Sequence, residues 1–168
     1  MPRTALLTGL PPLLGPASRV LVLGSMPGAA SLGAGEYYAH PRNAFWDIIG
    51  RRLGFDPSAP YADRSVALLD SGIALWDVIG ACRRHGSLDA AIEAASIRIN
   101  PIAELLAAQP SIHRVATNGT LAARLFDRHV ASLLTRPVEV LRLPSTSPAN
   151  ASWSLDRKRA AWQGIFAT

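Results

Sequence analysis

The chain has 168 residues, 49% of them hydrophobic and 17% charged, which suffices for one core-forming domain and excludes a disordered, collagen-like or coiled-coil protein. Its 17 basic residues outnumber 12 acidic ones for a formal charge of +5, and every basic residue except Lys158 is an arginine. Guanidinium groups grip phosphates in bidentate fashion, so nucleic acid or another polyanion is a natural partner, with an Arg-rich surface of no functional meaning as the alternative.

The first fifteen residues are apolar but broken by Arg3, Pro11 and Pro12, too short and interrupted for a membrane span and unlike a leader. Arg19 to Gly24 is a short apolar run ending in glycine, the pattern of a buried parallel strand. Ser25 to His40 reads as one long loop, and loops of that length are usually functional. Apolar residues then recur at Phe45, Trp46, Ile48, Ile49 and Leu53 with helical spacing. A second helix is expected over Tyr61 to Leu69, ended by Gly72, and a second strand over Ile73 to Val78. Ala81 to Gly86 reads as a basic turn, and Ser87 as the N-cap of a short helix. Pro101 opens another helix running to Ala108. A third strand, Arg114 to Thr117, turns at Asn118-Gly119 into a helix over Thr120 to Leu134. A fourth strand spans Pro137 to Leu143, a Pro/Ser/Thr loop spans Pro144 to Ser152, and Leu155 to Phe166 closes the chain as a helix.

Strands alternating with helices imply an α/β fold, a three-layer α/β/α sandwich around a four-stranded, mostly parallel sheet, with residues 1–168 as a single domain. Ligands of such folds bind at the carboxyl ends of the strands. The loops beginning at Gly24, Asn118 and Pro144 are therefore expected to meet on one rim.

Each of these loops carries polar or stacking groups. Gly24-Ser25-Met26-Pro27-Gly28 lets the backbone approach a ligand, though it is neither a Walker loop nor a dinucleotide fingerprint. Tyr37-Tyr38-Ala39-His40-Pro41-Arg42-Asn43 offers flat faces beside hydrogen-bonding groups, as a planar heterocycle requires; its tyrosines equally pack a loop down, and Asn43 equally caps the next helix. Ser145, Thr146, Ser147, Pro148 and Asn150 form a small, stiff polar loop that suits phosphate contacts or an ordinary hydroxyl-capped turn. Asn118-Gly119 has both a turn and a ligand reading. Arg83-Arg84-His85 reads as a solvated turn or a DNA-facing patch. The single cysteine, Cys82, excludes an internal disulfide and a Cys-based zinc or iron–sulfur site, and fits an intracellular, cytoplasmic protein. His40, His85, His113 and His129 are scattered, so no metal site is expected.

In this order, Gly-Ser-Met-Pro-Gly, Tyr-Tyr-Ala-His-Pro-Arg-Asn-x-Phe-Trp and Leu-Pro-Ser-Thr-Ser-Pro-Ala-Asn resemble the uracil-DNA glycosylase superfamily over roughly Val20 to Trp162. The hypoxanthine (deoxyinosine) branch is the nearest in pattern. It shares Ile73-Ala74-Leu75-Trp76-Asp77-Val78-Ile79 and Arg84-His85-Gly86-Ser87-Leu88-Asp89. Mismatch-specific relatives carry a catalytic Asn, and classical uracil enzymes an Asp, in the first loop, where this chain has Met26. The resemblance therefore implies that Asn43 is catalytic, with Asn118 as a second asparagine. Gly24, Ser25, Met26, Pro27, Gly28, Tyr38 and His40 are implied at the base. Arg42 and the Ser145, Thr146, Ser147, Pro148 and Asn150 loop are implied on DNA. The histidine that serves the leaving pyrimidine in uracil enzymes is replaced by Leu143. The implied activity is excision of a deaminated base, hypoxanthine foremost, by a monomer acting on double-stranded DNA, with single-stranded DNA as the alternative substrate and no metal or other cofactor. A uracil or thymine-mismatch enzyme of the same fold, a non-catalytic nucleic-acid-binding protein and a small-molecule nucleotide-binding domain are the competing readings.

Overall fold

A computed structural model of the protein describes residues 2–167. In chain order its elements are β1 (Leu6–Thr8), β2 (Val20–Gly24), α1 (Ala29–Ala34), α2 (Phe45–Leu53), α3 (Tyr61–Asp70), β3 (Ile73–Asp77), β4 (Ile79–Arg83), β5 (Arg98–Ile99), α4 (Ile102–Ala108), β6 (Arg114–Asn118), α5 (Thr120–His129), β7 (Glu139–Leu143) and α6 (Leu155–Trp162). The strands β3, β2, β6 and β7 lie side by side in that order, all parallel.

The apolar run of β2 is explained by burial on both faces. Val20 and Val22 point into one core with Phe45, Trp46, Ile48, Ile49, Leu68 and Trp162, contributed by α2, α3 and α6. Leu21 and Leu23 point into the other with Ile102, Leu106, Ala122, Leu125 and Phe126 from α4 and α5. Helices thus cover both sides of a four-stranded parallel sheet, the three-layer arrangement expected from the alternation of elements.

Most expected elements recur within one or two residues of their predicted ends, and four readings are corrected. The stretch from Ser25 to His40 is not all loop: α1 lies inside it, closed by Gly35 in the left-handed region at φ 68°. Ala81 to Arg83, the first half of the expected turn, is strand, because β4 pairs with β1 and β5 in a second, antiparallel sheet. Ser87 does not cap a helix; Leu88 stands at the start of the short 3₁₀ turn Asp89–Ala91. α5 stops at His129, and after the buried Val130 a 3₁₀ turn over Ala131–Leu133 follows.

Strand register fixes the site. Gly24 lies opposite Asp77, and Asn118 opposite Leu143. The carboxyl ends of all four parallel strands therefore form one rim. No helix among the described residues is long and apolar enough to cross a membrane.

Candidate active site

A cleft of about 1130 Å³ opens on that rim, and the three loops expected there line it. Gly24 to Gly28, Tyr38, His40, Arg42, Asn43, Asn118 and Ser145 to Asn150 all border it. So do Asp77, Asp89, Arg124, Arg142 and Trp153, which sequence reasoning did not single out. The volume falls just above the range usual for small-ligand pockets, and an open cleft of that size admits a nucleotide.

The Tyr37–Asn43 segment divides its work. Tyr37 is buried, its hydroxyl donating to the Pro11 carbonyl at 2.6 Å and its own carbonyl accepting from Trp46 Nε1 at 2.9 Å. It is the tyrosine that packs the loop down. Tyr38 is half-buried and stacks on Phe45 with ring centroids 4.2 Å apart. It holds φ at 55°, a left-handed conformation that costs a non-glycine residue on the order of 1 kcal/mol and concentrates at functional sites. Burial and the neighbouring Asp77 carboxyl push the Tyr38 phenol upward, so it stays neutral.

The two asparagines differ in what they leave free. Asn43 Oδ1 accepts from the Phe45 amide at 3.0 Å, so the helix-capping reading is real. Its Nδ2 meets no acceptor among the described residues, which leaves two N–H donors facing the cleft region. Asn118 is buried and fully engaged. Its Nδ2 donates to Tyr38 Oη at 3.2 Å and Thr146 Oγ1 at 3.0 Å, and its Oδ1 accepts from the Thr146 amide at 3.0 Å. In this arrangement Asn118 is a latch between β6, the tyrosine segment and the last loop.

That latch corrects one expectation. Thr146 is only 1% exposed and faces Asn118, so it holds the loop rather than offering a hydroxyl to phosphate. The rest of the loop is made of hydroxyl turns: Ser145 Oγ accepts from Ser147 N at 3.1 Å and Ser147 Oγ from Ala149 N at 3.2 Å. The Nζ of Lys158 donates to the Ser147 carbonyl at 3.2 Å from beneath, and Trp162 Nε1 donates to that of Pro144 at 2.9 Å. Met26 likewise turns its side chain into the core, leaving its backbone to the cleft.

The Arg84–Asp89 run is not a solvated patch at its start. Arg84 is 3% exposed, and its guanidinium donates to the carbonyls of Pro27 at 2.7 Å and Gly86 at 2.9 Å. Ser87 Oγ accepts from the Ala29 amide at 2.9 Å, and Ser25 Oγ donates to Asp89 at 2.7 Å. Three side chains of the run therefore grip the Gly24–Ala29 segment from one side.

Asp77, at the end of β3, is 4% exposed. Its carboxyl accepts no hydrogen bond among the described residues, and Oδ2 is wholly buried. The other oxygen sits against Gly24, where a Cβ would collide with it and would also lie 3.6 Å from Tyr38 Oη. Loss of hydration, reinforced by the Asp89 charge and only partly offset by Arg84, pushes the carboxyl up to about 7. Its position was open to inference: it is an acidic residue closing an apolar strand at the ligand-binding edge of a parallel sheet.

Fold and cleft together define an α/β protein with an open cleft at the carboxyl rim of its sheet, bordered by a tyrosine face and by hydrogen-bonding groups. The model of the uracil DNA glycosylase superfamily matches residues 11–165. The hypoxanthine DNA glycosylase of Methanosarcina barkeri (strain Fusaro / DSM 804) is 33% identical over 159 residues, covering 94% of this chain and 96% of that protein. That of Methanosarcina acetivorans is 31% identical over the same shares. The solution NMR structure of a candidate uracil DNA glycosylase from M. acetivorans superposes with a TM-score of 0.81 at 29% identity, covering 96% of this chain and 97% of that one. The chain belongs to the uracil DNA glycosylase superfamily.

Proposed function

We propose that this protein is a monofunctional DNA glycosylase of base-excision repair that flips a deaminated base, hypoxanthine foremost, out of DNA and hydrolyses its N-glycosidic bond. The observation that carries the reading is the convergence of the glycine loop, Tyr38, Asn43 and the Ser145–Asn150 loop on one cleft, in a chain that matches hypoxanthine DNA glycosylases along nearly its whole length. The chain works as one domain and one monomer. It acts on double-stranded DNA and accepts single strands where the base is already exposed.

The glycosidic bond is unreachable inside a duplex, so the base is extruded into the cleft. Ser145, Ser147, Pro148, Asn150 and Arg42 meet the DNA around the flipped nucleotide. Tyr38 and the backbone of Gly24 to Gly28 hold the base, with His40 at the rim. An amide does not ionise usefully, so Asn43 is not a general base. Its free N–H groups donate to the base or a phosphate, and its carbonyl has a second lone pair to orient water. The rate enhancement then comes from positioning and from stabilising charge as it develops on the base.

The test is strand cleavage. Oligonucleotides carrying hypoxanthine, xanthine or uracil are incubated with the protein and treated with alkali to cut abasic sites. Hypoxanthine DNA is expected to be cut fastest. Asn43→Ala is expected to slow single-turnover cleavage at least ~10-fold, about one good transition-state hydrogen bond. Cleavage of uracil DNA alone would keep the family and overturn the substrate, and an unchanged rate in the variant would remove Asn43 from the reaction.

A further inference from the structure

Asp77 has no part in the chemistry described so far, yet it is the one carboxyl among the cleft-lining residues that is both deeply buried and unpaired. Polar groups buried without a partner are rare and call for a reason. Here the site maintains the isolation. Gly24 supplies no side chain, Asn118 spends both amide hydrogens on Tyr38 and Thr146, and Arg84 directs Nη2 and Nε to the carbonyls of Pro27 and Gly86 while its buried Nη1 meets no acceptor, the Asp77 carboxyl included. The Tyr38 hydroxyl accepts from Asn118 and is not hydrogen-bonded to the carboxyl. A carboxyl left without donors on the floor of a binding cleft is available to a ligand.

We infer that Asp77 is a catalytic general acid that hands its proton to the departing purine. The inference rests on the glycosylase reading above. As the bond from C1′ to N9 breaks, its electron pair goes to the base, and the Asp77 proton passes to a purine ring nitrogen, N3 or N7. Hypoxanthine then leaves neutral, Asp77 becomes a carboxylate, and the sugar becomes an oxocarbenium ion. Water adds at C1′, and the proton it releases restores the acid. The sum is nucleotide plus water giving free hypoxanthine and an abasic sugar.

The surroundings keep the acid protonated without disabling it. The charged and titratable groups facing it are Arg84 and Asp89 from the segment after β4 and the phenols of Tyr37 and Tyr38; β2 offers only Gly24, and β6 the neutral Asn118. Desolvation and Asp89 favour the protonated form, and Arg84 opposes them, which leaves the group titrating near neutrality, where a general acid is most effective. The carboxylate left after transfer is also stabilised by Arg84 at that moment.

The experiment is a single-turnover pH profile on hypoxanthine DNA from pH 5.5 to 8, for the wild-type chain and for Asp77→Asn, which is near-isosteric. The wild-type rate is expected to be level at the acid end and to fall about tenfold per pH unit above neutrality, as one essential proton is lost. The variant is expected to be at least ~10-fold slower at pH 6 and to have lost that fall. Its binding to the product, an abasic-site duplex, is expected to be unchanged, which a merely structural role of Asp77 does not predict. A level wild-type profile overturns the inference, even if the variant fails to fold. So does a variant that keeps the wild-type rate or slope. A wild-type protein that cuts no hypoxanthine DNA at any pH instead overturns the function proposed above.

Discussion

Asp77 also leaves a signature on stability that needs no substrate. Its carboxyl titrates near 7 in the folded chain, against an ordinary value of 3.8. The folded state therefore binds this proton more tightly than the unfolded state does. The associated stability is full below about pH 4 and drains away as pH rises to about 7, because ionising the group inside the fold is unfavourable. Carboxylates held low by partners, such as Asp47 beside Arg159 and Arg51, act in the opposite sense and only at the acid end. Urea midpoints measured from pH 4.5 to 8 are thus expected to fall for the wild type, and to fall less for Asp77→Asn. Equal slopes would mean that the carboxyl is not buried in solution. Gly24 is the companion to this arrangement, since any side chain there would displace the carboxyl that faces it.

The segments around the cleft act as braces, and the Arg84–Asp89 run shows why part of the site escapes a sequence reading. Strands β2 and β3 were predictable from their apolar runs, and β6 and β7, which are less apolar, from their regular place in the alternation with helices. The glycine, tyrosine and serine loops followed from where such sheets bind ligands. β1 and β5 have three and two residues, too few for any period to show, and their pairing with β4 joins segments far apart in the chain. Without that second sheet, Arg84 reads as one member of a basic turn. With it, the side chain is carried under the glycine loop to the Pro27 carbonyl. Asn118 and Thr146 were both expected at the site, but their pairing escaped for the same reason, since 28 residues separate them. Replacing Arg84 by Met keeps much of the bulk and removes the grip. The expected loss is about 1–3 kcal/mol of stability, the usual range for an orphaned buried polar contact, together with weaker substrate binding as the loop loosens. Urea denaturation and the substrate concentration for half-maximal single-turnover rate check both, and an Arg84→Met protein with native stability and affinity would relegate the run to the surface.

Over the whole molecule, an excess of +5 is modest, so its placement decides what it does. Arg42 and Arg124 are exposed on the cleft border, outside any ion pair among the described residues, whereas Arg142 on the same border is paired with Asp127. Away from the cleft, Arg51 and Arg159 are tied to Asp47. The unneutralised charge beside the cleft is the part that can replace counterions on a DNA backbone. Affinity for duplex DNA is therefore expected to fall log-linearly with salt, and each phosphate contact removed should lower that slope by about 1. Arg42→Gln and Arg124→Gln are expected to weaken binding to hypoxanthine-containing and undamaged duplexes by the same factor, because phosphate contacts carry no base information. Arg51→Gln is expected to leave the slope unchanged. A salt titration of anisotropy for the three variants reads this directly. If Arg51 mattered as much as Arg124, the DNA would have to lie across α2 rather than over the carboxyl rim of the sheet, and the flipped base could not reach Asn43 and Asp77 from there.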